Sequence, residues 1–208
     1  MPGHYRNYNL QSIVPIPAIE LVSLLIFAYL LGSLSSAILL SKLMGFTDPR
    51  TDGSNNPGAT NVLRIAGKKA AFFTLLGDGL KGLIPVLMAQ WIVGDHLLVA
   101  LTGFCAFLGH CFPVYFNFRG GKGVATALAV SVAFNWIVGA VIIANWLLFA
   151  QVLKISSLAA IISFTALPFL IYWQEASLAI TGIFSLMSVI LIWRHKGNIQ
   201  RLLQGNES

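Results

Sequence analysis

Long apolar runs separated by short polar stretches dominate the chain. An apolar run of about 20 residues is long enough to cross a bilayer as a helix. The pattern predicts seven membrane segments, at about residues 16–44, 69–93, 97–116, 124–134, 137–153, 155–173 and 176–193. The first run is long enough to tilt or to kink near Gly32 and Ser33. The fourth and fifth segments are also compatible with one re-entrant pair.

This pattern predicts an all-α integral membrane protein, built as a compact bundle of about seven transmembrane helices with its glycine-rich loops at the cytoplasmic face. Composition agrees, because 57% of the 208 residues are hydrophobic and only 10% are charged. In a soluble domain, about a quarter of the residues are usually charged. We expect one transmembrane domain over residues 16–208, preceded by an N-terminal extension over residues 1–15.

The basic residues lie unevenly along the predicted topology. With the N-terminus outside, the inner ends of the spans hold 12 of the 13 lysines and arginines, and only Arg6 lies outside. Positive residues accumulate on the cytoplasmic side of membrane proteins. We therefore expect the C-terminus and both glycine-rich loops in the cytoplasm. The net charge of +6 then reflects basic loops facing anionic lipids and not nucleic acid.

The first loop is rich in glycine, amides and hydroxyls. Glycine lets backbone N–H groups approach a ligand, and short polar side chains add uncharged donors. Arg50 lies just before this stretch and Arg64 just after it. Such donors beside arginines suit a phosphate; the alternative is a solvated connector. The candidate phosphate-binding residues here are Ser54, Asn56, Gly58, Thr60, Asn61 and Arg64.

The second loop contains Gly120, Gly121, Lys122 and Gly123. It differs from a nucleotide-binding P-loop, in which Ser or Thr follows the lysine and a strand precedes the loop. The pattern instead predicts a turn that feeds a helix N-terminus, with Lys122 meeting a second negative charge.

Charged and polar residues near the spans give weaker signals. His195 and Asn198 share one face of a helix if the tail is helical, whereas Arg194, Lys196 and Arg201 also suit lipid headgroups. Asp78 and Lys81 lie within the second span at i and i+3, which predicts a structural ion pair.

Several chemistries are excluded by the residues present. No Ser-His-Asp arrangement with a familiar local signature occurs, and seven acidic residues without a His/Cys cluster make a poor metal site. We therefore predict no metal and no cofactor, and a reaction that needs little help from a carboxylate base. Cys105 and Cys111 are expected to be buried and unpaired.

The motifs together closely resemble a known family. Gly32-Ser33, Asp48-Pro49-Arg50 and the stretch from Gly53 to Asn61 match its first motifs in order. Matches follow at Gly109-His110, at the stretch from Gly120 to Thr126 and in the tail from Arg194 to Leu202. The chain is thereby similar, from about Ala28 to Glu207, to the bacterial acyl-phosphate:glycerol-3-phosphate acyltransferases, the PlsY family.

The resemblance implies an inner-membrane enzyme of bacteria that moves a fatty acyl group from acyl phosphate to the 1-hydroxyl of sn-glycerol 3-phosphate. Lysophosphatidic acid and phosphate would be the products, at the first step of phospholipid synthesis. Its partners would be these substrates and membrane lipids, without nucleic acid or an obligate protein partner.

Family site residues carry over to this chain one by one. Phosphate binding falls on Ser54, Asn56, Arg64 and Lys122. Catalytic positions fall on Ser33, Arg50, His195 and Asn198, and a structural glutamate falls on Glu207. One departure is Asn55, where the family usually has glycine.

Two other functions fit part of the pattern. An anion carrier would use the same loops, but carriers often show inverted repeats, and here every candidate gathers at one face. A scaffold for anionic lipids would explain the basic charge but not the amide-rich loop.

Overall fold

The computed structural model describes residues 18–207, and all the regular secondary structure within that range is helical, without strands. The predicted extension over residues 1–15 and the start of the first span at residue 16 lie outside the described residues. Within the described residues, one 3₁₀ turn spans Val114–Phe116. The α-helices are α1 (Ala18–Gly32), α2 (Ser36–Met44), α3 (Ala59–Ile92), α4 (His96–Cys111), α5 (Val124–Phe134), α6 (Trp136–Leu153), α7 (Ser156–Glu175), α8 (Leu178–Arg194) and α9 (Lys196–Leu203).

The predicted all-helical membrane bundle is confirmed, while the count of spanning helices depends on how bent helices are treated. Four described helices are long and apolar enough to cross a bilayer, and the number rises to six if each bent pair forms one span. The pairs are α1–α2, bent by 44°, and α8–α9, bent by 55°. Helix α5 has 11 residues and a length of about 16 Å, short of the ~30 Å of hydrocarbon.

The first span breaks where its sequence predicts a kink. Residues 33–35 are not helical, and the Ser33 hydroxyl bonds back to the carbonyl of Tyr29 at 2.8 Å. Helices α1 and α4 approach closely beside the break: a Cβ on Gly32 would lie 2.1 Å from the Ala106 carbonyl oxygen. Only glycine allows this contact, so the break is held in a fixed place against α4.

Helix α3 begins ten residues before the predicted start of the second span, at residue 69. It is not continuous, however, because Gly67 has φ +80° and ψ −176°. The segment before Gly67 carries Arg64 on a short helical arm, and the segment after it forms the apolar span. Arg64 therefore lies on a helix and not in the loop.

The interior and the surface both suit a bilayer. Large apolar side chains fill the centre, among them the fully buried Phe107, Phe164 and Phe184. Others point outward, including Trp91, Trp173 and Leu178, which are more than three-quarters exposed (89%, 77% and 79%). A soluble protein rarely exposes so much apolar area, so this surface fits contact with lipid tails.

Candidate functional site

Both glycine-rich loops and the C-terminal tail meet at one end of the bundle, which we call the loop end. Arg194, at the last residue of α8, reaches across to the second loop. Its guanidinium donates to the carbonyl oxygens of Gly120 at 2.6 Å and of Gly121 at 3.1 Å. The second loop is therefore clamped directly beside the tail.

Lys122 connects that loop to the tail through Asn198. The Lys122 Nζ donates to the Asn198 Oδ1 at 2.5 Å, and the Asn198 amide nitrogen donates to Glu207. Glu207 also accepts hydrogen bonds from Ser157 at 2.7 Å and from Arg201 at 2.6 Å. The tail thus folds back over α7 and presents Asn198 to the lysine.

The electrostatic environment of Lys122 is unfavourable for its charge. The pKa of Lys122 is lowered from 10.5 to about 8, mainly by burial; the carboxylate of Glu207 works against this shift, and the positive charges of Arg201, Arg64 and Arg194 add to it. Arg64, on the helical arm that follows the first loop, therefore contributes to the electrostatic potential at Lys122. Burial and three arginines thus oppose the positive charge of Lys122, and a bound anion with two negative charges would stabilise that charge.

Glu207 itself remains a carboxylate. Burial raises its pKa, but hydrogen bonds from Asn198, Ser157 and Arg201 outweigh burial, so the net pKa lies below its usual value. A carboxylate held by three donors is a fixed anchor for the tail.

The first loop is organised around the side chain of Asn61, which is buried. Its Oδ1 accepts from the Ser54 N–H at 2.8 Å, and its Nδ2 donates to the carbonyls of Pro49 at 2.9 Å and of Asp52 at 3.0 Å. Gly53 packs against the same amide, where a Cβ would lie 2.3 Å from the Asn61 Oδ1. The loop backbone is therefore shaped by Asn61 from within.

Asn55, the departure from the family pattern, keeps the conformation that glycine favours. Its φ is +55°, in the left-handed region that Asn enters more readily than other side chains. The loop geometry is thus compatible with either residue.

The loop ends at the N-terminus of α3, where Gly58 is the N-cap and supplies no side-chain cap. Helix N-termini attract anions through their N–H groups and the helix dipole. Asn56 is half-buried and Thr60 exposed beside this terminus. These residues and Arg64, one turn further along, form one edge of the loop end.

Ser33 and Arg50 contact the 3₁₀ turn. The Ser33 hydroxyl donates to Tyr29 and accepts from the Val114 N–H at 3.4 Å. The Arg50 guanidinium lies 5.9 Å from the centre of the Phe116 ring and pairs with Asp48 at 2.7 Å. The hydrogen bond from Arg50 lowers the pKa of Asp48, and the pKa of Arg50 is raised in turn.

His195 lies between α8 and α9, and its side chain is buried. Its Nδ1 lies 2.8 Å from the carbonyl oxygen of Leu191. A carbonyl only accepts hydrogen bonds, so Nδ1 carries a proton and the neutral ring has its lone pair on Nε2.

Deeper in the bundle, Lys81 lies 2.9 Å from Asp78, and both side chains are buried. Within residues 18–207, no group of three His, Cys, Asp or Glu is placed to hold a metal, and Cys105 and Cys111 are both free thiols.

Two contacts of the loop end were not predicted from the sequence. The sequence suggested lipid headgroups as one partner of Arg194, whereas its guanidinium binds the backbone of the second loop. Tyr29 donates its hydroxyl to the Phe112 carbonyl at 2.8 Å. No local signal marks these pairs, because their partners lie more than 70 residues away in the chain.

Comparison with known proteins gives a consistent result over most of the chain. A family model described as glycerol-3-phosphate acyltransferase matches residues 22–205. The glycerol-3-phosphate acyltransferase of Methylococcus capsulatus is 50% identical over 184 residues, covering 88% of this chain and 92% of that protein. The protein of the same name from Hydrogenovibrio crunogenus is 50% identical over 181 residues, covering 86% and 87%.

Solved structures agree with the sequence comparisons. The crystal structure of PlsY (YgiH), an integral membrane glycerol 3-phosphate acyltransferase in its glycerol 3-phosphate form, superposes with a TM-score of 0.87 at 38% identity, covering 91% of this chain and 94% of that one. Its lysophosphatidic acid form superposes with a TM-score of 0.82 over the same shares at the same identity.

Proposed function

The chain belongs to the glycerol-3-phosphate acyltransferase family, and from that premise we propose that it uses acyl phosphate as its acyl donor. The fatty acyl group goes to the 1-hydroxyl of sn-glycerol 3-phosphate. The products are lysophosphatidic acid and inorganic phosphate, at the first step of phospholipid synthesis. No coenzyme A or carrier protein takes part.

One observation carries this proposal: the excess of cations at the loop end. The charges of Arg201, Arg64 and Arg194 oppose the positive charge of the buried Lys122, and the carboxylate of Glu207 favours it. Substrate phosphates are the natural counter-charge, since a phosphate ester carries about −1.5 to −2 at neutral pH. The related PlsY structure named for its glycerol 3-phosphate form supports an anion of this kind.

The reaction needs orientation more than strong acid–base help, because an acyl phosphate is already an activated mixed anhydride. The hydroxyl oxygen of glycerol 3-phosphate attacks the acyl carbonyl carbon, and the bond from that carbon to the phosphate oxygen breaks. A substrate phosphate takes the hydroxyl proton. Holding both phosphates in fixed places supplies the proximity that such a transfer requires.

The site residues divide into binding and positioning groups. Substrate phosphates are bound by residues of both loops and of the start of α3: Lys122, Arg64, Ser54, Asn56, Gly58 and Thr60. Asn61 shapes the loop from within, since both ends of its amide are bonded there. Arg50 offsets negative charge near the 3₁₀ turn, and Ser33 orients that turn.

The tail supplies the remaining groups. Asn198 positions Lys122, and Glu207 anchors Asn198. The Nε2 lone pair of His195 accepts a hydrogen bond from the 2-hydroxyl of glycerol 3-phosphate and so orients the substrate, which leaves the proton of the attacking 1-hydroxyl for the phosphate.

The enzyme resides in the bacterial inner membrane with its N-terminus outside and the loop end in the cytoplasm. The basic residues at the loop end support this orientation. The acyl chain lies among the helices in hydrocarbon, so no docking face for a carrier protein is needed.

Phosphate release from palmitoyl phosphate by the purified protein tests the proposal. We expect release that depends on glycerol 3-phosphate and is matched by lysophosphatidic acid. Absence of release, together with uptake of glycerol 3-phosphate into vesicles containing the protein, would favour an anion carrier and overturn the proposal.

A further inference from the structure

A cluster of polar side chains lies buried beneath the loop end, and no step of the proposed reaction uses it. Asp78, Lys81, His110 and Thr126 are 2%, 5%, 5% and 0% exposed. Charged groups within the membrane are costly and normally serve a purpose. The contacts of this cluster lead in two directions.

One direction leads to the break between α1 and α2. Lys81 pairs with Asp78, and its Nζ also donates to the carbonyl oxygen of Leu34 at 2.8 Å. Leu34 lies within the non-helical residues 33–35, directly after Ser33. The lysine therefore binds the backbone of the break that presents Ser33 to the 3₁₀ turn.

The other direction leads to the turn that carries Lys122. The Thr126 hydroxyl donates to the Asp78 carbonyl at 2.8 Å and lies 3.1 Å from the His110 Nδ1. Since the hydroxyl proton goes to Asp78, His110 donates to the hydroxyl oxygen. The ring and backbone of His110 in turn contact Gly121: a Cβ there would lie 2.3 Å from Nε2, and the Gly121 N–H donates to the His110 carbonyl at 3.2 Å.

We propose that this cluster is a positioning device that fixes the break bearing Ser33 relative to the turn bearing Lys122. Lys81 and Thr126 are its positioning residues, and neither touches a substrate. The inference rests on the proposed function, because that proposal gives Ser33, at one end of the cluster, and Lys122, at the other end, roles in the same reaction. Each phosphate site is built from other residues, so loosening the cluster misaligns the two substrates without abolishing their binding.

The test compares Thr126→Val with Thr126→Ser. Valine keeps the volume and removes both hydrogen bonds, whereas serine keeps the hydroxyl. For Thr126→Val we expect kcat to fall about 10- to 100-fold, the scale of a small misalignment. The affinity for glycerol 3-phosphate, measured by calorimetry, should stay close to that of the original protein, and Thr126→Ser should restore most of kcat.

Ser131→Ala is the matched control. Ser131 is also buried on α5, but its hydroxyl bonds only back to Ala127 of its own helix, at 2.9 Å. We expect an unchanged kcat for this variant. If valine prevents folding, Thr126→Cys replaces it, since the thiol has a similar volume and donates weakly; it should give an intermediate kcat.

Full kcat in Thr126→Val, or in Thr126→Cys where that variant is used, would overturn the inference. Equal losses of kcat and of glycerol 3-phosphate affinity would also overturn it, because they indicate a purely structural role. The unchanged protein is assayed first. If it makes no lysophosphatidic acid, the proposed function has failed; if it is active and the variant keeps full kcat, only this inference has failed.

Discussion

Lys122 and Glu207 are joined through the side chain of Asn198. The amide oxygen of Asn198 accepts from the lysine at 2.5 Å, and its amide nitrogen donates to the glutamate. An amide serves both partners at once, as acceptor and as donor, without adding charge. The arrangement steers the lysine while leaving its charge for a substrate.

Replacing Asn198 by aspartate should disturb both the position of Lys122 and its charge. Asn198→Asp loses the donor to Glu207 and places a second carboxylate beside it, which also neutralises Lys122. Loss of a hydrogen bond to a charged group costs about 1.5–3 kcal/mol, so we expect the KM for glycerol 3-phosphate to rise roughly 10- to 100-fold. Steady-state kinetics of acyl transfer measure this value.

Asn206→Asp is the control for the added charge. Asn206 lies in the same tail and is exposed, so its substitution should leave KM within about twofold, since exposed charges interact weakly. A KM for Asn198→Asp that matches this control would contradict the bridging role.

The low pKa of Lys122 predicts a pH dependence of activity. With a pKa of about 8, the lysine loses its charge as the pH rises through that value. Phosphate esters are already dianionic above a pKa of about 6. The kcat/KM for glycerol 3-phosphate should therefore fall above pH 8, and Lys122→Arg should flatten the fall, because arginine stays charged.

Stability should follow the opposite trend for this group. Its folded pKa lies below the reference value of 10.5, so folding disfavours the charged amine. That cost is present below pH 8 and is relieved between about pH 8 and 10.5.

A fall in kcat/KM above pH 8 that persists unchanged in Lys122→Arg would contradict the assignment of the pH dependence to Lys122.

Arg194 and Lys196 are neighbouring cations with different expected importance. Arg194 binds two carbonyls of the second loop, whereas exposed Lys196 lies 5.2 Å from the centre of the Trp193 ring. Arg194→Met should release the loop and lower kcat/KM by about 100-fold, as a misplacement of ~1 Å does. Lys196→Met should keep activity within about twofold. Equal activities of the two variants would show that the clamp is not needed.

Substitutions of Asn55 test whether the first loop requires a residue that readily adopts a positive φ. Asn55→Gly should leave activity unchanged, because glycine adopts a positive φ freely. Asn55→Ala should cost about 1–2 kcal/mol of backbone strain and raise the KM for glycerol 3-phosphate about 5- to 30-fold. The side chain of Asn55 is exposed. If its amide contacted a substrate, both variants would instead lose activity to the same extent.

Local sequence signals predicted the helices and the break well. Hydropathy predicted the apolar helices, although α5 is too short to cross the bilayer, and the Gly32-Ser33 pair marks the kink because glycine permits the close contact with α4. The helical arm before Gly67 was missed, because the apolar run that predicts the second span begins only at residue 69.

The candidate site was predicted as a set of residues but not as an arrangement. Residue types suggested that Asn61 binds an anion, whereas the fold bonds its amide within the loop. The bridging by Asn198 and the clamp by Arg194 join segments more than 70 residues apart. Such partners depend on helix packing, which local patterns do not encode.

The choice of acyl donor tests the central claim most directly. Purified protein is given glycerol 3-phosphate with either palmitoyl phosphate or palmitoyl coenzyme A, and lysophosphatidic acid and phosphate are quantified together. We predict equal amounts of lysophosphatidic acid and phosphate from palmitoyl phosphate, and no product from the coenzyme A ester. Product from the coenzyme A ester alone would contradict the account.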